Sequence, residues 1–284
     1  MKDKSVMVAE QRIFPHESRP AGPIFVNGIW KSGNHLVYSA LNTMGVAGPF
    51  NGIAAHLTRG SHPIIKRLVR GKWPGQSGID VGLETKTGIR PGYIRQTLRR
   101  LEGRIVGGHA AYSPELFALL QAENARIIAI RRDPRDILIS FADWIGTRQD
   151  FFLHRYFAPL DRDARIRLLL RGDADYKINP FPRVLSLAEG WLNAPGVMQV
   201  RFEDLIGEQG GGQRDKQTRV VTDLHTHVGA PTPLDEIDID RIYGRSLTFN
   251  KGRTARWRAI EDNTLRDEID DRLGPHLPTW GYVP

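Results

Sequence analysis

The stretch VNGIWKSGNHL, residues 26–36, decides how this chain is read. Ile24 and Phe25 precede it, so a short apolar run ends at Asn27-Gly28, and Lys31, Ser32 and Gly33 follow at once. Residues 33–45 then carry the spacing of a helix that closes near Gly45. A strand that stops at glycine, offers a lysine and a hydroxyl, and opens a helix is a way to build an anion site. The first N–H groups of a helix have no partner within it, its dipole favours negative charge, and Gly28 and Gly33 let the backbone bend closely. The order Lys-Ser-Gly is not that of the nucleoside triphosphate loop, G-x-x-x-x-G-K-[ST]. Taken alone, the stretch reads equally as an ordinary strand-to-helix turn with a solvated lysine.

Outward from this turn, strands alternate with helices. Residues 104–108 are a candidate second strand, and Ser113-Pro114-Glu115 opens a helix with Ser as cap and Pro at its first position. RIIAIR, 126–131, is a continuous apolar strand of the kind buried in a parallel sheet. Asp133-Pro134 starts a helix through Trp144, and 183–194 is another. Residues 197–202 are a further strand, 219–229 and 235–243 are expected to be helical, and 263–274 is a helix closed by Gly274-Pro275. The pattern predicts an α/β fold: a single P-loop-type domain with a central, mostly parallel sheet flanked by helices. Residues 1–22 read as an irregular lead-in to a domain over 23–284, and GEQGGGQRDKQ, 207–217, as a flexible insertion. Segments 47–103 and 145–180 read as cover or acceptor-site segments.

The bulk numbers set limits. With 284 residues, 40% of them apolar and 25% charged, the chain is long enough for a sizeable core. No apolar run approaches the ~18 residues of a membrane helix, and the N-terminus carries no signal-peptide apolar core. The sequence has no cysteine, which removes disulfides and thiolate chemistry and fits a cytoplasmic location. A net charge of +8 favours anionic partners of some kind.

The second informative run is IIAIRRDPRDILISFADW, 127–144. Arg132 stands at the carboxyl end of a buried strand, where open α/β sheets bind ligands, and Ser140 lies about two turns into the next helix. The pair could grip a phosphate. Equally, Arg132 could pair with Asp133 or Asp136, and Ser140 could bond its own helix.

Together the two runs resemble the sulfotransferase superfamily, which uses 3′-phosphoadenosine 5′-phosphosulfate (PAPS) as sulfuryl donor and releases adenosine 3′,5′-bisphosphate. Trp30-Lys31-Ser32-Gly33-Asn34-His35-Leu36 resembles the family's 5′-phosphosulfate loop, P-K-S-G-T-T-W. Arg132-Asp133-Pro134-Arg135-Asp136 with Ser140 matches the 3′-phosphate segment, R-[ND]-P-[RK]-D-x-x-x-S. Phe202-Glu203-Asp204-Leu205 resembles Y-E-D-L, and the run from Phe249 to Arg258 resembles F-R-K-G-x-x-G-x-W-[KR]. All four stand in the family's order.

The resemblance implies roles. Lys31 would bind the 5′-phosphosulfate and stabilise the leaving oxygen; Ser32, Gly33, Asn34, His35 and Leu36 would form the rest of the loop. Arg132 and Ser140 would hold the 3′-phosphate, with Phe202, Asn250, Lys251 and Gly252 completing the nucleotide site. His109, after a candidate strand, occupies the place of the family's catalytic base; His35 is its rival and Glu84 a remote third. A sulfuryl group carries less charge than a phosphoryl, so no metal is required, and no carboxylate cluster in the sequence suggests one. The expected acceptor is an alcohol or amine on a small molecule, lipid or glycan, bound among aromatics such as Phe50, Trp73, Phe151, Phe152, Tyr156 and Phe157. No nucleic-acid partner is expected.

The sequence also departs from the family. Asn250 replaces an arginine that normally pairs with the 3′-phosphate, leaving Arg253 or Arg256 to supply the charge. Leu36 and Phe202 replace aromatic and tyrosine positions near the adenine, and Trp30 is unusual in its loop. The family's dimerisation pattern, K-x-x-x-T-V-x-x-x-E, is absent after Trp257, where Asp262 and Asn263 occupy its central pair. Two other readings stand beside this one: a P-loop nucleotide or small-molecule kinase, and a non-enzymatic polyanion binder.

Overall fold

In a computed structural model, the residues described are 22–48, 52–54, 63–70, 78–83, 85–149, 151, 153–243 and 254–283. The expected lead-in and the residues Phe50, Trp73, Glu84, Phe152, Asn250, Lys251, Gly252 and Arg253 lie outside them.

The elements run β1 (Ile24–Asn27), α1 (Asn34–Thr43), α2 (Pro63–Arg70), β2 (Ile79–Asp80), β3 (Gly88–Ile89), α3 (Pro91–Arg100), β4 (Ile105–Gly108), α4 (Pro114–Ala122), β5 (Arg126–Arg131) and α5 (Pro134–Ile145). They continue with α6 (His154–Phe157), α7 (Arg162–Arg171), α8 (Phe181–Asn193), β6 (Met198–Arg201), α9 (Phe202–Leu205), α10 (Arg214–Val228), α11 (Asn263–Leu273) and α12 (Leu277–Trp280). Four strands form one sheet in the order β4-β1-β5-β6, every pairing parallel. A small antiparallel pair, β2 and β3, stands apart.

The apolar runs of β1 and β5 are continuous because both faces of the sheet are covered. Ile24, Val26, Ile128 and Ile130 face a cluster with α1 and α10, while Phe25, Ile127 and Ala129 face one with α3 and α4. A third cluster joins α5, α7, α8 and α11. Because the chain passes from β1 to β4 on one side and then crosses over to β5 on the other, the carboxyl ends of β1 and β5 border a topological switch point, the usual position of a ligand crevice. The stretch that opened the reading lies there.

Most predicted elements are present within a residue or two. The caps of α4 and α5 are as expected: Ser113 Oγ accepts from the Leu116 N–H at 3.1 Å, and Asp133 accepts from the Arg135 N–H at 2.9 Å. Two regions differ. Residues 235–243 hold two short 3-10 turns rather than a helix. The stretch 207–217 contains a 3-10 turn and the start of α10, with buried Gln217 donating to the Leu205 carbonyl at 3.1 Å. Among the described residues no helix is long and apolar enough to cross a membrane.

Candidate active site

The turn after β1 is compact and strained. Lys31 has φ 68° and Gly33 φ 114°, so a non-glycine residue occupies the left-handed region at the site's principal lysine. Such a position costs about 1 kcal/mol or more and persists where surrounding contacts enforce it. Gly28 is required by its neighbours: a Cβ there would meet Ser32 Oγ at 2.5 Å and Asn34 Oδ1 at 2.6 Å. Gly33 lies against Phe202, where a Cβ would meet the ring at 2.6 Å. Helix α1 begins at the next residue with no side-chain cap.

Ser32 corrects an expectation. Its hydroxyl was read as a donor to the anion, but it is buried and donates to the Ile29 carbonyl at 2.7 Å. The Ser32 N–H goes to the same carbonyl at 3.1 Å. Ser32 holds the turn's shape, and the donors left to face a ligand belong to Lys31 and the start of α1. Asn34 likewise has a task in the scaffold, since its Nδ2 donates to the Gly108 carbonyl at 2.7 Å.

That bond is half of a clamp on His109. Register places Asn27 opposite Gly108, so the residues after both strands emerge side by side. The buried Asn27 amide exchanges two hydrogen bonds with Ala110, donating to its carbonyl at 3.1 Å and accepting its N–H at 2.9 Å. Trp191 Nε1 donates to the same carbonyl at 2.9 Å. His109 is thus fixed from Gly108 on one side and Ala110 on the other, and the Asn27 amide, buried with both its groups paired, is costly to disturb.

The imidazole itself bonds the turn: His109 Nδ1 lies 2.6 Å from the Gly28 carbonyl oxygen. A carbonyl only accepts, so Nδ1 carries the proton, and in the neutral ring Nε2 keeps the lone pair. One face stacks on Trp30, with centroids 3.9 Å apart and planes at 23°. Trp30 stacks in turn on Trp144 at 5.6 Å. Burial pushes the His109 pKa down to about 4, with His35 and Lys31 adding repulsion against the Gly28 hydrogen bond. His35 is also lowered to about 4, by burial and by Lys31, and its ring stands edge-on to Tyr38. Both histidines are neutral at pH 7.

Arg132 is buried at the end of β5 and reaches back to the turn, donating from Nη1 to the Lys31 carbonyl at 3.1 Å. Its guanidinium lies 4.3 Å over the Phe202 ring and 3.8 Å from Asp136. The ion pair weighed for Arg132 therefore exists, with Asp136 as partner; Asp133 is taken by Arg135 at 2.9 Å. Ser140 is buried one turn further along α5 than Asp136. Leu36 packs its side chain into the core beside Phe202 and Val37. Asp136 accepts from the Ala255 and Trp257 N–H groups at 2.7 and 3.2 Å, tying α5 to the end of the fourth motif. Glu203 of that FEDL run accepts from the Asp133 N–H at 3.2 Å and from the Tyr282 hydroxyl at 2.6 Å, which is scaffolding at the far side of Arg132.

Lys31 lives in a field of like charge. Burial first, and then Arg132, Arg148 and Arg256, lower its pKa to about 8. Lys31 Nζ and the Arg148 guanidinium each lie 5.7 Å from the Trp144 ring centroid. Four cations drawn together around an uncapped helix start form a site whose electrostatics favour a multiply charged anion.

Several of these residues escaped sequence reasoning. Asn27 was read only as the end of a strand, and its role depends on register with a strand 81 residues later, counted from Asn27 to Gly108. Arg148 carries no motif signal. Of the aromatics expected to line the acceptor, Phe151 and Phe157 are core residues, buried with Leu153 and Phe181, while Tyr156 packs on Tyr176 at 4.0 Å. The crevice beside Trp30, lined by Phe141, Leu153, Leu169 and Val184, has a free volume of about 10 Å³, room for one water at most.

No protein-family model matches the sequence, and no curated protein matches it. The structure is similar to solved structures. Mouse sulfotransferase SULT7A1 complexed with PAP has a TM-score of 0.56 at 14% identity, covering 90% of this chain and 84% of that one. Retinol dehydratase in complex with androsterone and the inactive cofactor PAP has a TM-score of 0.50 at 12% identity, covering 90% and 80%. The same enzyme with retinol and PAP has a TM-score of 0.50 at 11% identity, covering 91% and 82%.

Proposed function

Sharing the fold of these sulfotransferase and retinol dehydratase structures, the chain places its own ionisable groups at one turn, and from them we propose that it transfers a sulfuryl group from PAPS to an acceptor hydroxyl or amine. One observation carries the reading. The single turn Gly28–Lys31 gathers three groups: Lys31 itself, His109 bonded to the Gly28 carbonyl, and Arg132 bonded to the Lys31 carbonyl. Those are a cation for a leaving oxygen, a neutral base, and a second cation for a further phosphate.

The donor set fits the nucleotide. Lys31 and the backbone of Gly33, Asn34 and His35 would receive the 5′-phosphosulfate, and Arg132 with Ser140 the 3′-phosphate; the group supplies an activated sulfur whose leaving portion is a phosphate. His109 Nε2 would take the proton of the attacking acceptor as its oxygen or nitrogen bonds to sulfur. Lys31 would stabilise charge on the bridging oxygen as its bond to sulfur breaks. The Asn27 and Asn34 clamps would hold the base in line, and the Trp30 stack would fix its plane. Bringing a dianionic ligand among four cations would also relieve the repulsion that depresses Lys31.

The kinase reading lacks the G-K-[ST] order at this turn. The polyanion reading leaves the convergence of Lys31, His109 and Arg132 on one turn unexplained. The acceptor is read as a small-molecule, lipid or glycan alcohol, and the location as cytoplasmic on the cysteine-free sequence.

The test is release of adenosine 3′,5′-bisphosphate from PAPS against phenols, aliphatic alcohols, sugars and amines. Turnover with one of these classes, lost in Lys31→Ala, is the expected result. Phosphoryl transfer from ATP to the same acceptors, without turnover of PAPS, would replace the reading with the kinase.

A further inference from the structure

The turn that carries Lys31 has a second side chain at its centre. The Ser32 N–H and hydroxyl both bond the Ile29 carbonyl, at 3.1 and 2.7 Å, which closes a β-turn with Trp30 and Lys31 as its middle residues. Ile29 is buried in the core and anchors this turn. The Trp30 indole lies on the His109 ring, with centroids 3.9 Å apart and planes at 23°. Trp144 stacks on Trp30 at 5.6 Å. Phe151 meets both indoles edge-on, at 5.3 and 4.9 Å, and Phe141 closes against Trp144 and Phe151 at 6.0 Å each. These rings pack on one another and leave no slot between them. The crevice behind Trp30 has a free volume of about 10 Å³, too little for any organic group.

Trp30 Nε1 is buried and has no hydrogen-bond partner among the described residues, so ring contacts alone hold the indole and its removal leaves no acceptor unmet. Cations border the stack, since Lys31 Nζ and the Arg148 guanidinium each lie 5.7 Å from the Trp144 centroid. A hydroxyl that gives its proton to His109 Nε2 has to come within hydrogen-bond distance of that atom. The apolar remainder of a ring-bearing or long-chain alcohol then finds the space beside the base already filled by Trp30. A small hydrophilic alcohol needs no such space, because its remainder stays among Lys31, Arg148 and solvent.

We propose that Trp30 is a specificity-determining residue: it fills the volume beside the base in which an apolar acceptor would lie, and so restricts transfer to small, hydrophilic alcohols. The inference deepens the PAPS reading and rests on it. The transfer step itself is unchanged. The alcohol oxygen bonds to sulfur, its proton passes to His109, and the bond from sulfur to the bridging oxygen breaks with its electron pair leaving on adenosine 3′,5′-bisphosphate.

The experiment measures kcat/KM with PAPS in wild type, Trp30→Ala and Trp30→Phe. Glycerol, free serine and glucose are the hydrophilic acceptors, and 2-naphthol and octanol the apolar ones. Removing the indole opens a cavity on the order of 150 Å³, a size that admits benzene. Wild type favours the hydrophilic set. Trp30→Ala shifts the apolar-to-hydrophilic ratio about 10- to 100-fold toward the apolar set, and Trp30→Phe shifts it less. A base left poorly oriented would lower both rates together and leave their ratio alone. Free indole refills the cavity: it raises the Tm of Trp30→Ala and not of wild type, and returns the ratio toward the wild-type value. The phenylalanine variant, which keeps a ring on His109, decides the question should alanine not fold. A wild type that binds adenosine 3′,5′-bisphosphate but prefers the apolar set or spares the hydrophilic one, or a ratio unchanged by substitution, overturns this inference alone. A wild type that binds no bisphosphate overturns the PAPS reading with it.

Discussion

Replacing Lys31 by methionine should stabilise the free protein while removing its function. Burial and three arginines hold the Lys31 pKa at about 8, against 10.5 for the free side chain. Each unit corresponds to about 1.4 kcal/mol, so the charged lysine costs the fold roughly 3 kcal/mol, and about 2–3 after allowance for its residual solvent contact. Methionine matches the stem, carries no charge, and meets the same left-handed φ of 68°, so backbone strain cancels. In a chain of this size that gain raises Tm by about 4–10 °C at pH 7. The pH dependence follows from the depressed pKa. Between about pH 8 and 10.5 the unfolded state binds more protons than the folded one, so wild-type stability rises with pH in that window. The difference between the proteins is full below pH 8 and gone above 10.5. Differential scanning calorimetry of both across this range is the assay. Adenosine 3′,5′-bisphosphate at about 100 times its Kd should then add about 2.7 kcal/mol to wild type and far less to the variant. A variant less stable than wild type at pH 7, or a gap that does not close with pH, would refute the reasoning.

Three further outcomes are expected. With PAPS and a working acceptor, kcat/KM should rise through about pH 4 as His109 loses its proton and fall through about pH 8 as Lys31 loses its own; His109→Ala should cost about 10²–10⁴ in rate and abolish the acidic limb, and an unchanged profile would transfer the role to another group. Ser32→Ala should lower stability by about 1 kcal/mol in urea titration yet change bisphosphate affinity less than about threefold, because its hydroxyl already serves the Ile29 carbonyl; a large affinity loss would return the hydroxyl to the ligand. Asp136→Asn should destabilise by about 1–3 kcal/mol and weaken the bisphosphate, since it removes the charge opposite Arg132 and leaves an amide facing the Ala255 and Trp257 N–H groups; affinity equal to wild type would separate that turn from the site.

What the sequence made legible follows from the range of the forces involved. The apolar runs 24–27 and 126–131 declare a sheet covered on both faces, and Ser113 and Asp133 declare their helix starts, because those signals are local. The 3-10 turns at 235–243 read as a helix because apolar spacing over so few residues does not distinguish the two. The glycine-rich 207–217 read as loose because Gln217's anchor, the Leu205 carbonyl, is a tertiary contact. Lys31, His109 and Arg132 were legible as residue types at the ends of strands. Their coupling was not, since it depends on strand register and on buried amides. Asn27 looks like any strand-ending polar residue until Ala110 is placed beside it. Ser32 shows the converse, a motif residue whose hydroxyl the turn itself consumes.

The most direct test of the whole account is a calorimetric comparison of adenosine 3′,5′-bisphosphate without metal and ATP with magnesium, each titrated into wild type, Lys31→Ala and Arg132→Ala. The account predicts saturable one-to-one binding of the bisphosphate, tighter than ATP, and its loss in both variants. Tighter binding of magnesium ATP, or bisphosphate binding indifferent to Lys31 and Arg132, would contradict it.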